Sequence, residues 1–165
     1  MTIIPQDPTL FVGSLRNNID PLNTYKDEEI MDALTKTKLS NTLKANGNLL
    51  EFKVQESGKN VSAGEQQLIC VARALLRRSK ILLLDEATSA MDLQTEEIVR
   101  DIMNNYFKES TIITIAHRIH TILSSDKVVV MNDGMVAEFG SPKELQQNEH
   151  SLFKALLEES MVKAL

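Results

Sequence analysis

The 165-residue sequence contains one cysteine and no tryptophan. A lone Cys70 can close no internal disulfide. Its place in an apolar helical pattern marks it as a small core residue rather than a nucleophile or ligand. The three histidines, His117, His120 and His150, lack the cysteine or paired-histidine spacing of a zinc site. Positive charge is in deficit: 18 Lys and Arg stand against 23 Asp and Glu, a net charge of −5. That balance argues against a nucleic-acid-binding face, which is usually basic. No apolar run approaches the roughly 18 residues that span a bilayer, and the start, MTIIPQDPTLF, has neither the basic residues nor the apolar core of a signal peptide. The six glycines never take the spacing G-x-x-x-x-G-K-[ST], and Gly58-Lys59 is followed by Asn60. A phosphate-cradling loop of that type is therefore absent from these residues. Internal repeats, low-complexity tracts and a flexible linker are missing as well.

What is there is an ordinary globular composition, 42% apolar and 25% charged, long enough for one domain with a real core. The chain is organised around KILLLDEATSAMD, residues 80–92. Ile81 to Leu84 run straight into Asp85 and Glu86. A short apolar run with such an abrupt end predicts a strand buried on both faces of a parallel sheet. Strands of that kind end at the crevice where α/β proteins bind ligands. Successive residues point to opposite faces, so one acid can face a metal while the other faces a reacting water. Asp85 would then hold Mg²⁺ near nucleotide phosphates, as in a Walker B element. These residues alone serve equally well as a core strand ending in a solvated acidic turn.

Around this stretch the pattern alternates. Thr2 to Ile4 is a short β-prone run stopped by Pro5, and Pro5 and Pro8 frame a loop. Ser14 can cap a short helix that Asp20-Pro21 ends. An amphipathic helix is predicted over 26–38, with Ile30, Met31, Leu34 and Leu39 at helical spacing and three acids in its first turn. A second short helix, 40–45, ends at Asn46-Gly47; residues 49–55 read as a strand or an extended link. Later, 93–107 reads as a helix with Ile98, Ile102 and Met103 on one face. Thr111 to Ala116, TIITIA, reads as a second buried strand whose tip carries His117. A short helix over 119–124 precedes a third strand, KVVVM, and Asn132-Asp133-Gly134 suits a hairpin turn onto 135–139. Ser141, Pro142 and Glu144 suit the N-cap, N1 and N3 of a further helix, and 151–163 reads as amphipathic through Leu152, Phe153, Leu156 and Leu157. Residues from about 7 to 60 are thus helical and polar, whereas 80–140 alternate β and α as a parallel sheet with crossover helices does.

Between these halves lies VSAGEQQLICVARALLRR. Ser62 followed by Glu65 fits a capping box, and Arg77 and Arg78 suit a helix C-terminus. Ala63 and Gly64 would let a ligand approach the backbone, where unpaired amides and the helix dipole favour an anion. An ordinary capped helix fits the same residues.

In order and spacing these segments resemble the nucleotide-binding domain of an ABC transporter, from the Q-loop to the C-terminus. Within that family they resemble the second such domain of the C subfamily, the multidrug-resistance-associated-protein type. IIPQDPTLFVGSLRNNIDP resembles the Q-loop region, VSAGEQQLICVARALL the signature and its helix, ILLLDEATSAMD the Walker B and D-loop, TIAHR the switch-histidine segment, and VVVMNDGMVAEFGSPKELQ the end of the domain. The resemblance covers almost the whole chain. It implies an α/β fold, a P-loop NTPase domain of the ABC ATPase type: a helical signature subdomain (about 7–78), a Walker B and switch-histidine core (about 79–140) and C-terminal helices (141–165), with the Walker A lobe absent. ATP and Mg²⁺ are the implied cofactors. Gln6 would touch Mg²⁺ and the attacking water and sense the transmembrane domains. Ser62, Ala63, Gly64 and Glu65 would clamp the γ-phosphate of ATP held by a second nucleotide-binding domain. Asp85 would hold Mg²⁺, Glu86 would be the general base, Asp92 would couple the two sites, and His117 would contact the γ-phosphate. The implied partners are that second domain and the transmembrane domains of one exporter at the cytoplasmic face of a membrane, with no nucleic acid. These are the parts phosphoryl transfer calls for, since it needs positioning and charge neutralisation more than covalent chemistry.

Two departures qualify the resemblance. Without the Walker A loop the chain reads as the C-terminal portion of a domain, expected to bind ATP poorly and hydrolyse none alone, and to expose sheet edges and apolar surface. The signature carries Ala63 for a glycine and Glu65 for the usual glutamine, which places a negative charge near a phosphate site unless Glu65 caps Ser62. Two other readings stand beside the exporter: an inert or interaction fragment without ATPase activity, and the C-terminal lobe of a chromosome-maintenance or DNA-repair ABC ATPase.

Overall fold

The computed structural model describes residues 1–43, 47–85, 92–115 and 122–163. The chain forms two compact units, Met1–Ile115 and Ala116–Leu165.

The first unit is built on α4 (Ala63–Arg77), in which Leu68, Ile69, Cys70, Val71, Ala72, Ala74 and Leu76 are all buried. A helix apolar around so much of its circumference must be enclosed. Around it stand α1 (Leu15–Ile19), α2 (Asp27–Lys36), α3 (Leu39–Thr42), α5 (Leu93–Tyr106) and the strand β1 (Thr2–Ile4). Ser14 caps α1, its side chain accepting from the Asn17 amide. Ile30, Ala33 and Leu34 bury one face of α2, and Val99, Ile102, Met103 and Phe107 bring α5 into the same core. The region over 49–55 is divided: a single 3-10 turn, Leu49–Glu51, leads into β3 (Lys53–Val54), which pairs antiparallel with β2 (Gly13–Ser14). The expected helix over 40–45 is shorter and starts earlier, at Leu39; residues 44–46 lie outside those described.

Three parallel strands complete this unit, in the order β1, β4 (Ile81–Asp85), β5 (Thr111–Ile115). The β4–α5–β5 segment is the expected crossover between parallel neighbours. Burial differs from the sequence reading. Strand β4 hides only one face: Leu82 and Leu84 are buried with Thr2 and Ile4, whereas Ile81 is exposed. All five residues of β5 are exposed. The reason lies in the layers. Register sets Ile3, Leu83 and Ile113 side by side on one face. The α4 and α5 residues pack with Ile4, Leu82 and Leu84 on the other. Among the described residues of this unit nothing covers the first face, and β5 is the outer strand of its sheet.

In the second unit, β6 (Val128–Asn132) and β7 (Met135–Gly140) form an antiparallel hairpin. Asp133 and Gly134 both have positive φ, 48° and 77°, as a two-residue primed turn requires. Helix α6 (Pro142–Gln147) has the expected Ser141–Glu144 capping box. Val128, Val130, Leu145 and Phe153 form a small core with α7 (Leu152–Lys163). Of the four apolar residues read as one stripe on α7, Phe153 and Leu157 are buried, and Leu152 and Leu156 are exposed. The short helix read over 119–124 lies largely outside the described residues.

Candidate functional site

At the start of α4 the Ser62 hydroxyl accepts from the Glu65 amide, while the Glu65 carboxylate accepts from both the Ser62 amide and the Ser62 hydroxyl, each at 2.8 Å. The charge of Glu65 is thus turned onto its own cap. Helix geometry leaves the Ala63 and Gly64 amides without intrahelical acceptors, and Ser62 and Ala63 are exposed. The helix therefore opens with amides free of intrahelical partners next to exposed residues, an arrangement suited to an anion.

Gly64 is half-buried for a different reason. A Cβ built there would stand 2.9 Å from Oγ1 of Thr95. Thr95 lies in the first turn of α5, whose N-cap is Asp92. The Asp92 carboxylate accepts from the Thr95 amide at 2.9 Å and from its hydroxyl at 2.8 Å. These bonds, the amide first, hold the Asp92 carboxyl below the usual range for aspartate. Close approach at glycine thus joins the start of α4 to Asp92 through one threonine.

A second group gathers at the C-terminal end of the parallel sheet. Asp85 ends β4 and is exposed. Ile4 pairs with Leu84, so the chain beyond β1 leads to Gln6, also exposed, at this same end of the sheet. Its backbone is pinned: the buried Gln67 amide donates to the carbonyls of Pro5 and Gln6. Carboxylate and amide oxygens are the hard donors Mg²⁺ prefers. A pair of them fits an ion that keeps most of its shell in water and phosphate oxygens. No cluster of three or more metal-ligating side chains occurs among the described residues.

Glu86 and His117 lie outside the described residues; in sequence they follow Asp85 and, two positions on, Ile115. Cys70 is buried, and burial raises its thiol pKa against a smaller opposing effect of Arg73. That is a core cysteine rather than a nucleophile.

Sequence reasoning missed Gln67 and Thr95. Gln67 stands where a helix-capping pattern gives way to an apolar run, and Thr95 in a first turn where threonine is common. Neither carries a signal without knowledge of its distant partner.

A family model described as ABC transporter matches residues 1–89. ATP-binding cassette sub-family C member 2 of Homo sapiens is 53% identical over 147 residues, 89% of this chain and 10% of that protein. ABC transporter C family member 9 of Arabidopsis thaliana is 48% identical over 157 residues, 95% of this chain and 10% of that protein. A solved structure, that of a bacterial Atm1-family ABC exporter with ATP bound, superimposes with a TM-score of 0.86 at 31% identity, covering 96% of this chain and 28% of that one. The chain belongs to the ABC transporter family. Its α/β architecture is that of the matching part of an ABC exporter, and the two relatives named above are C-family members. The chain spans about a tenth of the length of those relatives. Among the described residues no helix is long and apolar enough to cross a membrane.

Proposed function

We propose that this chain supplies the Q-loop, signature and Walker B portion of an ATP-hydrolysing domain that drives an exporter of the C subfamily. The observation that carries the reading is the opening of α4. Ser62 and Ala63 are exposed there, Gly64 is held close against Thr95, and the Glu65 carboxylate is engaged by its own cap. Such a helix start can receive the γ-phosphate of ATP seated on a second nucleotide-binding domain.

Asp85 and Gln6 would hold Mg²⁺ at the end of the sheet, an ion that when bound neutralises charge on the phosphate oxygens. Glu86 takes the proton of the attacking water as general base, and His117 donates to the γ-phosphate. Asp92 links the two sites by capping the helix that backs Gly64. Gln6 reports the state of the site to transmembrane domains, so that the domain works at the cytoplasmic face of a membrane. Residues 1–165 contain no Walker A loop, and by themselves they are expected to turn over no ATP.

The test is Mg²⁺-dependent phosphate release by the full-length polypeptide that carries this segment, purified into lipid. Asp85→Asn and Glu86→Gln should each lower kcat by about 100-fold or more, and the 1–165 chain alone should show no turnover. Hydrolysis that survives both substitutions, or full-length protein that hydrolyses nothing, would sink the reading.

A further inference from the structure

We infer that Gln67 is a positioning residue that ties the loop carrying Gln6 to the helix carrying the signature residues; this rests on the function proposed above. Its side chain is 3% exposed. Nε2 donates to the Pro5 carbonyl at 2.9 Å and to the Gln6 carbonyl at 2.7 Å. Oε1 is buried and has no hydrogen-bond partner among the described residues. Reversing the amide would set Oε1 against two carbonyl oxygens, so its orientation is fixed by its surroundings. A buried amide that leaves its acceptor unsatisfied is retained for what it donates.

The tie is reinforced further along the same helix. Arg73 donates through both terminal nitrogens to the Thr9 carbonyl and through Nε to the Asn18 carbonyl. Two side chains of α4 therefore strap the segment from Pro5 to Thr9 by its backbone, and Gln67 is the one that reaches Gln6. Gln67 also lies little more than one turn from Ser62. A shift of the α4 N-terminus on engaging phosphate is carried by one amide group to the main chain of Gln6. Through Gln67, signature engagement and the geometry at the end of β1 become a single movement.

The experiment compares Gln67→Met and Gln67→Glu with wild type in the full-length polypeptide in lipid. Methionine keeps the volume and loses both donors. Glutamate keeps the shape and replaces the amide donor with a carboxyl group. The expected result in both variants is an ATP KM within about two-fold of wild type and a kcat lowered roughly five- to ten-fold, as fits loss of two hydrogen bonds. Wild-type kcat in both variants, or a KM that rises while kcat is unchanged, would overturn the inference. Should Gln67→Met fail to fold, the kcat and KM of Gln67→Glu decide alone. A wild-type protein without ATP turnover would instead defeat the underlying functional proposal.

Discussion

Gly64 and Thr95 meet so closely that no side chain fits between them: a Cβ on Gly64 would lie 2.9 Å from Oγ1 of Thr95 and 3.3 Å from its Cγ2. Gly64 has no positive φ to explain its identity, so the requirement is for space. Gly64→Ala should therefore press on a hydroxyl already engaged by Asp92, destabilising the junction by about 1–3 kcal/mol. Thr95→Ser removes the Cγ2 contact and keeps the hydroxyl. Thr95→Gly removes both. The double variant Gly64→Ala/Thr95→Gly should lose less activity than the two single losses combined. The check is a double-mutant cycle on ATPase activity of the full-length polypeptide; simple additivity would contradict the contact argument.

The capping box makes separable predictions for Ser62 and Glu65. Ser62→Ala removes the acceptor of the Glu65 amide and should cost about 1 kcal/mol of helix stability. Glu65→Gln keeps an acceptor for the Ser62 amide while deleting a negative charge at the helix start. It should leave the fold intact and lower the KM for ATP, or leave it unchanged. A rise in KM for Glu65→Gln would mean that the charge itself is needed. ATPase titrations of the two variants in the full-length polypeptide separate these outcomes.

Acid sensitivity follows from three carboxylates that serve as helix caps. Asp92 is held down chiefly by the Thr95 amide, Glu138 by the Phe153 and Leu152 amides, and Glu144 by the Ser141 amide. Each has a folded pKa below its unfolded value of about 3.9–4.3. Their contribution is therefore complete above that range and is lost as pH falls through the lower folded values. Glu138 also accepts from the Ser151 hydroxyl and the Leu152 amide, which fastens the start of α7 to β7. Helicity followed by circular dichroism should fall below about pH 4. Asp92→Asn, which caps nearly as well without titrating, should flatten part of that fall. An acid transition identical in Asp92→Asn would exclude the Asp92 cap as a contributor.

Local chemistry made most of the helices legible in advance. Ser14, Ser62 and Ser141 announce their helices by capping residues alone, and Asp133-Gly134 announces its turn by the positive φ it needs. Burial was harder to read. TIITI looks like a buried strand because its residues are apolar on both faces, yet whether anything covers them depends on strand order, which five residues cannot encode. The same limit hid Gln67. Its partners lie more than sixty positions away, and hydrogen bonds over such distances leave no periodic trace. The acid at Glu65, read both as a cap and as a charge against phosphate, was resolved by geometry, since its carboxylate faces Ser62.

The uncovered face of the sheet governs how the 1–165 chain behaves in solution. Ile3 and Ile113, each 51% exposed, flank Leu83 across the three strands, and Ile115 adds a further 51% exposed side chain at the end of β5. Parallel sheets are ordinarily covered on both faces, and a contiguous apolar patch of this kind drives association. Strand β5 compounds the effect, because TIITI is uncharged, β-branched and free of proline, and stands at the outer edge of its sheet. The 1–165 chain should therefore self-associate and bind a dye that reports exposed apolar surface. Ile113→Lys places a charge at the centre of both patch and edge and should shift the chain toward monomer in sedimentation velocity. It should leave α4 helical, because α4 packs on the opposite face with Ile4, Leu82 and Leu84. Glu65→Lys, a charge change of the same sign away from the sheet, serves as the control. If both substitutions shift association equally, net charge rather than this face controls it.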